Sequence, residues 1–139
     1  MSGKLVLVVG PSGAGKDTLL DAARKRLSSS SKHFFPRRFI TRPLDAGGED
    51  HIAVTGEQFE RMEARGGFAL SWRAHGLAYG VPRSVVDETA RGKAVIVNVS
   101  RGVIDVARER FASVRVACVV ASNEVLRARL QARGRESEA

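Results

Sequence analysis

A chain of 139 residues, 43% hydrophobic and only 6% aromatic, has material for one compact α/β domain with a modest core, not for two. The formal charge of +8 favours polyanionic partners, and the single cysteine, Cys118, rules out an intramolecular disulfide; its apolar surroundings, VRVACVVA, predict a core-filling thiol. The apolar run LVLVV between Lys4 and Gly10 is too short for a signal-peptide core or a membrane span, which predicts a cytoplasmic protein without a membrane partner.

In chain order, Lys4 to Val9 reads as a buried parallel strand that runs into a glycine-rich loop. Leu19, Leu20, Ala22, Ala23 and Leu27 then recur at helical spacing until SSSSK ends the helix. From His33 to Arg83 the pattern breaks into short segments, RRFIT, DHIAV and FALSW, separated by turn signals, with one helix over GEQFERMEARGG. This stretch predicts a small, partly antiparallel subdomain, in which Trp72 and Tyr79 are candidates for packing and for ligand contact alike. Beyond it, helix RSVVDETARG, strand KAVIVNV, helix RGVIDVARERF, strand VRVACVVA and a helix capped by Ser122 alternate as in a parallel sheet covered on both faces. The arginines are spread without interleaved aromatics, which speaks against nucleic acid and for a phosphorylated small molecule.

The chemistry concentrates in GPSGAGKD, Gly10 to Asp17, between the first strand and its helix. Such a loop turns successive backbone N–H groups and a helix N-terminus on phosphate, and its lysine reaches the β- and γ-phosphates. Gly10, Pro11, Ser12, Gly13, Ala14, Gly15, Lys16, Asp17 and Thr18 are therefore the candidate ATP site, with Lys16 as a catalytic cation. Asp17 stands where a hydroxyl normally meets Mg²⁺. A carboxylate is also a hard oxygen ligand, direct or through water; the alternative is that Asp17 caps the helix and Thr18 supplies the hydroxyl.

Together with ITRPLDAGGEDHIAV, FALSWRAHGLAYGVP and RLQARGRE in this order, the loop resembles the guanylate kinase-like group of P-loop phosphotransferases over essentially the whole chain. That resemblance implies an α/β P-loop NTPase three-layer fold with a parallel sheet core, a small mixed-β substrate subdomain and a lid. Residues 1–32 and 93–131 would form the core, 33–92 the acceptor-binding part and 132–139 the start of a lid, which runs on further in related enzymes. By position, Arg42 and Tyr79 match residues on the acceptor phosphate, His51 stands near a second tyrosine, and Asp45 replaces a second arginine. Arg133 and Arg135, with Arg127 and Arg129 beside them, match lid arginines that close on the transferring phosphates.

The positions that read guanine depart from the family: Ser71 replaces a glutamate, Val81 a hydroxyl residue, and VIVNVS carries no acid, though Asn98 and Ser100 lie near. Losing these hydrogen-bonding partners removes the reason to bind the base. GGEDHIAV and ALSWRAHGLAYGV resemble a branch of the family that phosphorylates a ribose bisphosphate in phosphonate breakdown. A phosphorylated sugar as acceptor, with ATP and Mg²⁺, is the expected chemistry; the rivals are a nucleoside monophosphate kinase, a non-catalytic binding module and a basic nucleic-acid binder.

Overall fold

A computed structural model describes residues 3–11, 15–43 and 51–120 of the chain. The first layer is a four-stranded parallel sheet. Strand β1 (Lys4–Val9) lies between β7 (Ala94–Asn98) and β8 (Val114–Cys118), and β2 (His33–Phe34) adds to the far side of β7. The register pairs Leu7 with Val97 and with Val116, so the β1 centre is covered on both edges. A run of valines and leucines is what such a doubly flanked strand demands, and Leu5, Leu7 and Val9 are buried.

Helix α1 (Lys16–Arg26) follows β1 through the phosphate-loop segment, while α3 (Ser84–Ala90) and α4 (Ile104–Arg110) lead into β7 and β8. Alternation of strands and helices does predict this parallel sheet. The apolar face expected on α1 is narrower than its sequence suggests: Leu20 is buried, whereas Leu19, one position and about 100° away around the axis, is half exposed.

The second layer is a mixed sheet in the order β4 (Ile52–Ala53), β3 (Phe39–Ile40), β6 (Leu77–Pro82) and β5 (Phe68–Ala74). β3 and β4 are parallel; the pairs β3–β6 and β5–β6 are antiparallel. His75 and Gly76, with φ of 54° and 74°, form the two-residue turn of the β5–β6 hairpin. Positive φ at both central positions gives the twist that matches the strands, which explains an HG turn. Helix α2 (Gly56–Ala64) is set by a full capping box between Thr55 and Gln58 and places Phe59 against Phe68, with ring centroids 4.7 Å apart.

Two boundaries differ from the sequence expectation. His33 and Phe34 pair with Ala94 and Val95, so β2 belongs to the parallel sheet and not to the acceptor-binding part. Ala69, Leu70 and Val81 of the mixed sheet pack in one cluster with Leu5, Leu7, Val95 and Val97, and the Arg110 guanidinium donates to the Ala69 carbonyl at 2.6 Å. The two sheets therefore share a core. Cys118 is a further correction: it lies at the exposed end of β8 and its Sγ accepts from Arg101 Nη2 at 2.9 Å, because β8 is the outer strand of the described sheet.

Candidate active site

The carboxyl ends of β1 and β7 face the inner side of the mixed sheet across an open cleft of about 740 Å³. One end is built from the phosphate-loop segment. Gly10 has φ of 153°, and a Cβ there would lie 2.3 Å from the Val119 carbonyl oxygen, so the loop can leave β1 beside β8 only with glycine. Gly15 (φ 95°) is the residue before α1, and its carbonyl accepts the Leu19 N–H at 3.0 Å. Lys16, Asp17 and Thr18 then form the first turn of α1 and line the cleft. The residue capping α1 is Gly15, without a side-chain bond, and Asp17 sits in the first turn beyond it. There its charge suits the helix dipole, and its Oδ1 lies 3.5 Å from Asn98 Nδ2, the outer limit of a hydrogen bond.

The opposite wall comes from strand alternation. Arg38 just before β3, Ile40 within it and Arg42 just beyond it alternate onto one face of the extended chain, and all three line the cleft. The register sets Ile40 opposite Tyr79 and Tyr79 opposite Trp72, so these rings come from adjacent strands on the same face. They stack with centroids 5.4 Å apart and planes 4° from parallel. Trp72 and Tyr79 thus pack on each other and line the cleft at once.

Arg38 is the residue that motif matching passed over. Only 7% exposed, it donates from Nη1 to the Asn98 carbonyl at 3.2 Å and lies 5.3 Å from the centre of the Tyr79 ring. A period-two reading of RRFITR, which puts Arg38, Ile40 and Arg42 on one face, is the signal that would have found it.

Two of the expected acceptor contacts are turned elsewhere. His51 is fully buried, and its Nε2–H donates to the Arg42 carbonyl at 2.7 Å, since a carbonyl can only accept. It fixes the backbone that carries Arg42 and does not line the cleft. The Arg37 guanidinium donates to the His51 carbonyl at 3.0 Å, which holds the histidine from the other side. Ser71 lies on the outer face of β5, one residue out of phase with Trp72, and donates to Glu63 Oε2 at 2.7 Å.

Glu63 also takes Arg73 in a two-point contact, Nη1 to Oε2 at 2.7 Å and Nη2 to Oε1 at 2.8 Å. The Arg73 and Ser71 hydrogen bonds hold the Glu63 carboxyl down from its ordinary 4.5 to about 2. The cluster joins α2 to the back of β5, which leaves Trp72 and Ala74 to face the cleft. Ser12, Gly13 and Ala14 of the loop, Asp45, and the arginines Arg127, Arg129, Arg133 and Arg135 lie outside the described residues.

The arrangement supplies a phosphate-binding loop with a lysine at one end and two arginines with stacked aromatics at the other. It is suited to bringing two phosphates together in one cleft. Among the described residues no three His, Cys, Asp or Glu side chains cluster as a metal cage, and no helix is long and apolar enough to cross a membrane. Asp17 and Thr18 do offer hard oxygen donors at the cleft, which fits a magnesium ion completed by nucleotide phosphates and water.

Comparison with known proteins agrees with this geometry. The guanylate kinase family model matches residues 2–139. The solved guanylate kinase of Anaplasma phagocytophilum superposes with a TM-score of 0.69 at 22% identity, covering 96% of this chain and 68% of that one, which speaks for the fold. Ribose 1,5-bisphosphate phosphokinase PhnN of Rhodopseudomonas palustris is 53% identical over 136 residues, 98% of this chain and 70% of that protein. The Acidiphilium cryptum protein of the same name is 53% identical over 138 residues, 99% of this chain and 73% of its own length. In Roseobacter denitrificans a bifunctional ribose 1,5-bisphosphokinase-thymidine phosphorylase is 47% identical over 138 residues, 99% of this chain and 20% of that protein. The chain thus belongs to the guanylate kinase family, among its ribose 1,5-bisphosphate phosphokinase members.

Proposed function

We infer that this protein is an ATP-dependent kinase that converts ribose 1,5-bisphosphate to 5-phospho-α-D-ribose 1-diphosphate, in the cytoplasm and in the service of phosphonate breakdown. The observation that carries the proposal is the single cleft joining the Lys16 end to the Arg42 and Tyr79 wall. The activity named for its relatives supplies the acceptor.

ATP would sit on Gly10, Pro11, Ser12, Gly13, Ala14, Gly15, Lys16, Asp17 and Thr18. An oxygen of the acceptor's 1-phosphate attacks the γ-phosphorus, a new P–O bond forms, and the bond to the bridging β-oxygen breaks to release ADP. The attacking oxygen is already anionic, so no general base is needed and catalysis is positioning and charge neutralisation. Lys16 neutralises charge on the γ-phosphoryl group, while Arg42 and Tyr79 hold the acceptor phosphate. His51 acts by fixing the Arg42 backbone, and Ser71 by tying β5 to α2. Arg133 and Arg135 would close over the transferring phosphates from the lid. Mg²⁺ would be held by Asp17, directly or through water, and by the Thr18 hydroxyl; when bound it offsets phosphate charge that the side chains alone leave uncompensated.

The test is ADP release with ribose 1,5-bisphosphate, GMP and ribose 5-phosphate as acceptors, with Lys16→Ala as control. Turnover is expected with the bisphosphate, and loss of the lysine should lower kcat by roughly 10²–10³-fold. Faster turnover of GMP than of the bisphosphate would overturn the proposal.

A further inference from the structure

The cleft takes its cations from both walls. Arg38 and Arg42 come from the mixed sheet, Lys16 from the head of α1, and Arg101 from the short 3-10 turn after β7. The reaction inferred above gives Arg101 no task. We propose that Arg101 is a further catalytic residue, which contacts the γ-phosphoryl group of ATP from the carboxyl end of β7 and stabilises its charge during transfer; this assignment rests on the function inferred above.

The order of the parallel sheet supplies the position. β1 lies between β7 and β8, with Val8 paired to Asn98 and Val9 to Cys118. Arg101 follows the last residue of β7 by three positions, yet its Nη2 donates to Cys118 Sγ, at the end of β8, at 2.9 Å. Neighbouring strands are about 4.8 Å apart, so this contact bridges about 10 Å across the carboxyl end of β1. That end is where Gly10 leaves the strand for the phosphate loop, beside the carbonyl of Val119, the residue after Cys118. Arg101, Gly10, Pro11 and Lys16 accordingly line one cleft. From the mouth of the loop Arg101 meets the phosphate end of the nucleotide, whereas Arg42 and Tyr79 meet the acceptor from the opposite wall.

The guanidinium is also available. Among the described residues, Cys118 Sγ is the one hydrogen-bonding or ion-pairing partner of Arg101. Thiol sulfur is a weak acceptor, so the bond orients the side chain without cancelling its charge and leaves further N–H donors for phosphate oxygens. Arg24, Arg61 and Arg91 differ in this respect: each is paired with a carboxylate three or four residues earlier in the chain. The strand and turn that carry Arg101, AVIVNVSRG, contain no acid.

Charge gives the reason for a cation here. In phosphoryl transfer, negative charge spreads over the three equatorial oxygens of the moving group, where an arginine has its largest effect on rate. Asp17 raises that demand, because it brings a carboxylate to the cleft where a hydroxyl would bring no charge. Arg101 offsets it from the core side. It donates hydrogen bonds and stays protonated throughout; the bonds made and broken remain those between phosphorus and oxygen.

The test combines steady-state turnover of ribose 1,5-bisphosphate with calorimetric binding of ADP and of the non-hydrolysable β,γ-imido analogue of ATP, in wild type, Arg101→Ala and Arg101→Lys. Arg101→Ala should lower kcat roughly 10²-fold and leave the bisphosphate KM within about threefold. Affinity for the imido analogue should fall roughly 3- to 10-fold and that for ADP less than about twofold, since only the analogue carries a γ-group. Arg101→Lys keeps a point charge without the fork and should recover about tenfold of the lost rate. Added methylguanidine should restore part of the Arg101→Ala turnover, which a merely structural loss would not allow. Unchanged kcat, equal weakening of ADP and the analogue, or a loss confined to the bisphosphate KM would each overturn the assignment while leaving the function standing. A wild-type enzyme that does not phosphorylate the bisphosphate would overturn the function; the comparison of analogue with ADP needs no acceptor and still decides whether Arg101 meets the γ-group.

Discussion

Replacing Glu63 by Gln keeps the shape of the side chain and removes the charge that binds Arg73 at two points and Ser71 at a third. The carboxyl is held at about 2 against an ordinary 4.5, a difference that for a fully shielded group would be worth about 3.4 kcal/mol at about 1.4 kcal/mol per pH unit. The pair is not fully shielded: the side chains of Arg73 and Glu63 are 55% and 34% exposed. Solvent screening reduces the expected contribution to about 1–1.5 kcal/mol, or roughly 3–5 °C in Tm for a domain of this size.

Because the folded-state value is the lower one, this stability is present in full above pH 4.5 and disappears as pH falls through about 2. At pH 3 about two-fifths of it should remain, from the same two values. Urea unfolding of wild type and Glu63→Gln at pH 7 and pH 3 should show a deficit that shrinks by more than half. Acceptor affinity at pH 7 should change less than about threefold, because the cluster lies behind β5 and not in the cleft. Equal stability at pH 7, or a deficit undiminished at pH 3, would refute the account of the cluster.

The loop and the cleft give three further expectations. Gly10→Ala places a Cβ 2.3 Å from the Val119 carbonyl oxygen, and nucleotide affinity measured by titration should fall at least about tenfold even where the fold survives. His51→Ala leaves the Arg42 carbonyl without its buried donor; urea unfolding should show a loss of about 2 kcal/mol, and the acceptor KM should rise more than kcat falls. Asp17→Ser restores a hydroxyl, and kcat at saturating Mg²⁺ should stay within about tenfold of wild type, with the change seen in the Mg²⁺ dependence; complete loss of activity would count against a ligand role for Asp17.

Much of the fold is legible in the residues themselves. A β-branched run ending in Gly10, a lysine at the head of a helix and the later alternation of strands with helices specify a parallel sheet with a phosphate loop at the carboxyl end of its first strand, because each follows from local propensity and period. The capping box at Thr55 and the His75–Gly76 turn are equally local. His51 and Ser71 were matched to the acceptor by position in a motif, and position does not tell on which side of a strand or behind which loop a side chain falls.

What only the tertiary structure decided are the relations between distant segments. The pairing of β2 with β7 draws His33 into the core sheet, and the exposure of Cys118 follows from the place of β8 at the described sheet's outer edge, neither of which a local pattern contains. Arg38 reads as one more surface cation until β3 is paired with β6, when the shared face sets it over Tyr79 and against the Asn98 carbonyl. The sequence determined a nucleotide loop and the elements around it through short-range chemistry. The opposite wall of the cleft arises from strand register, which brings together residues about 40 positions apart, Ile40 with Tyr79, through long-range pairing.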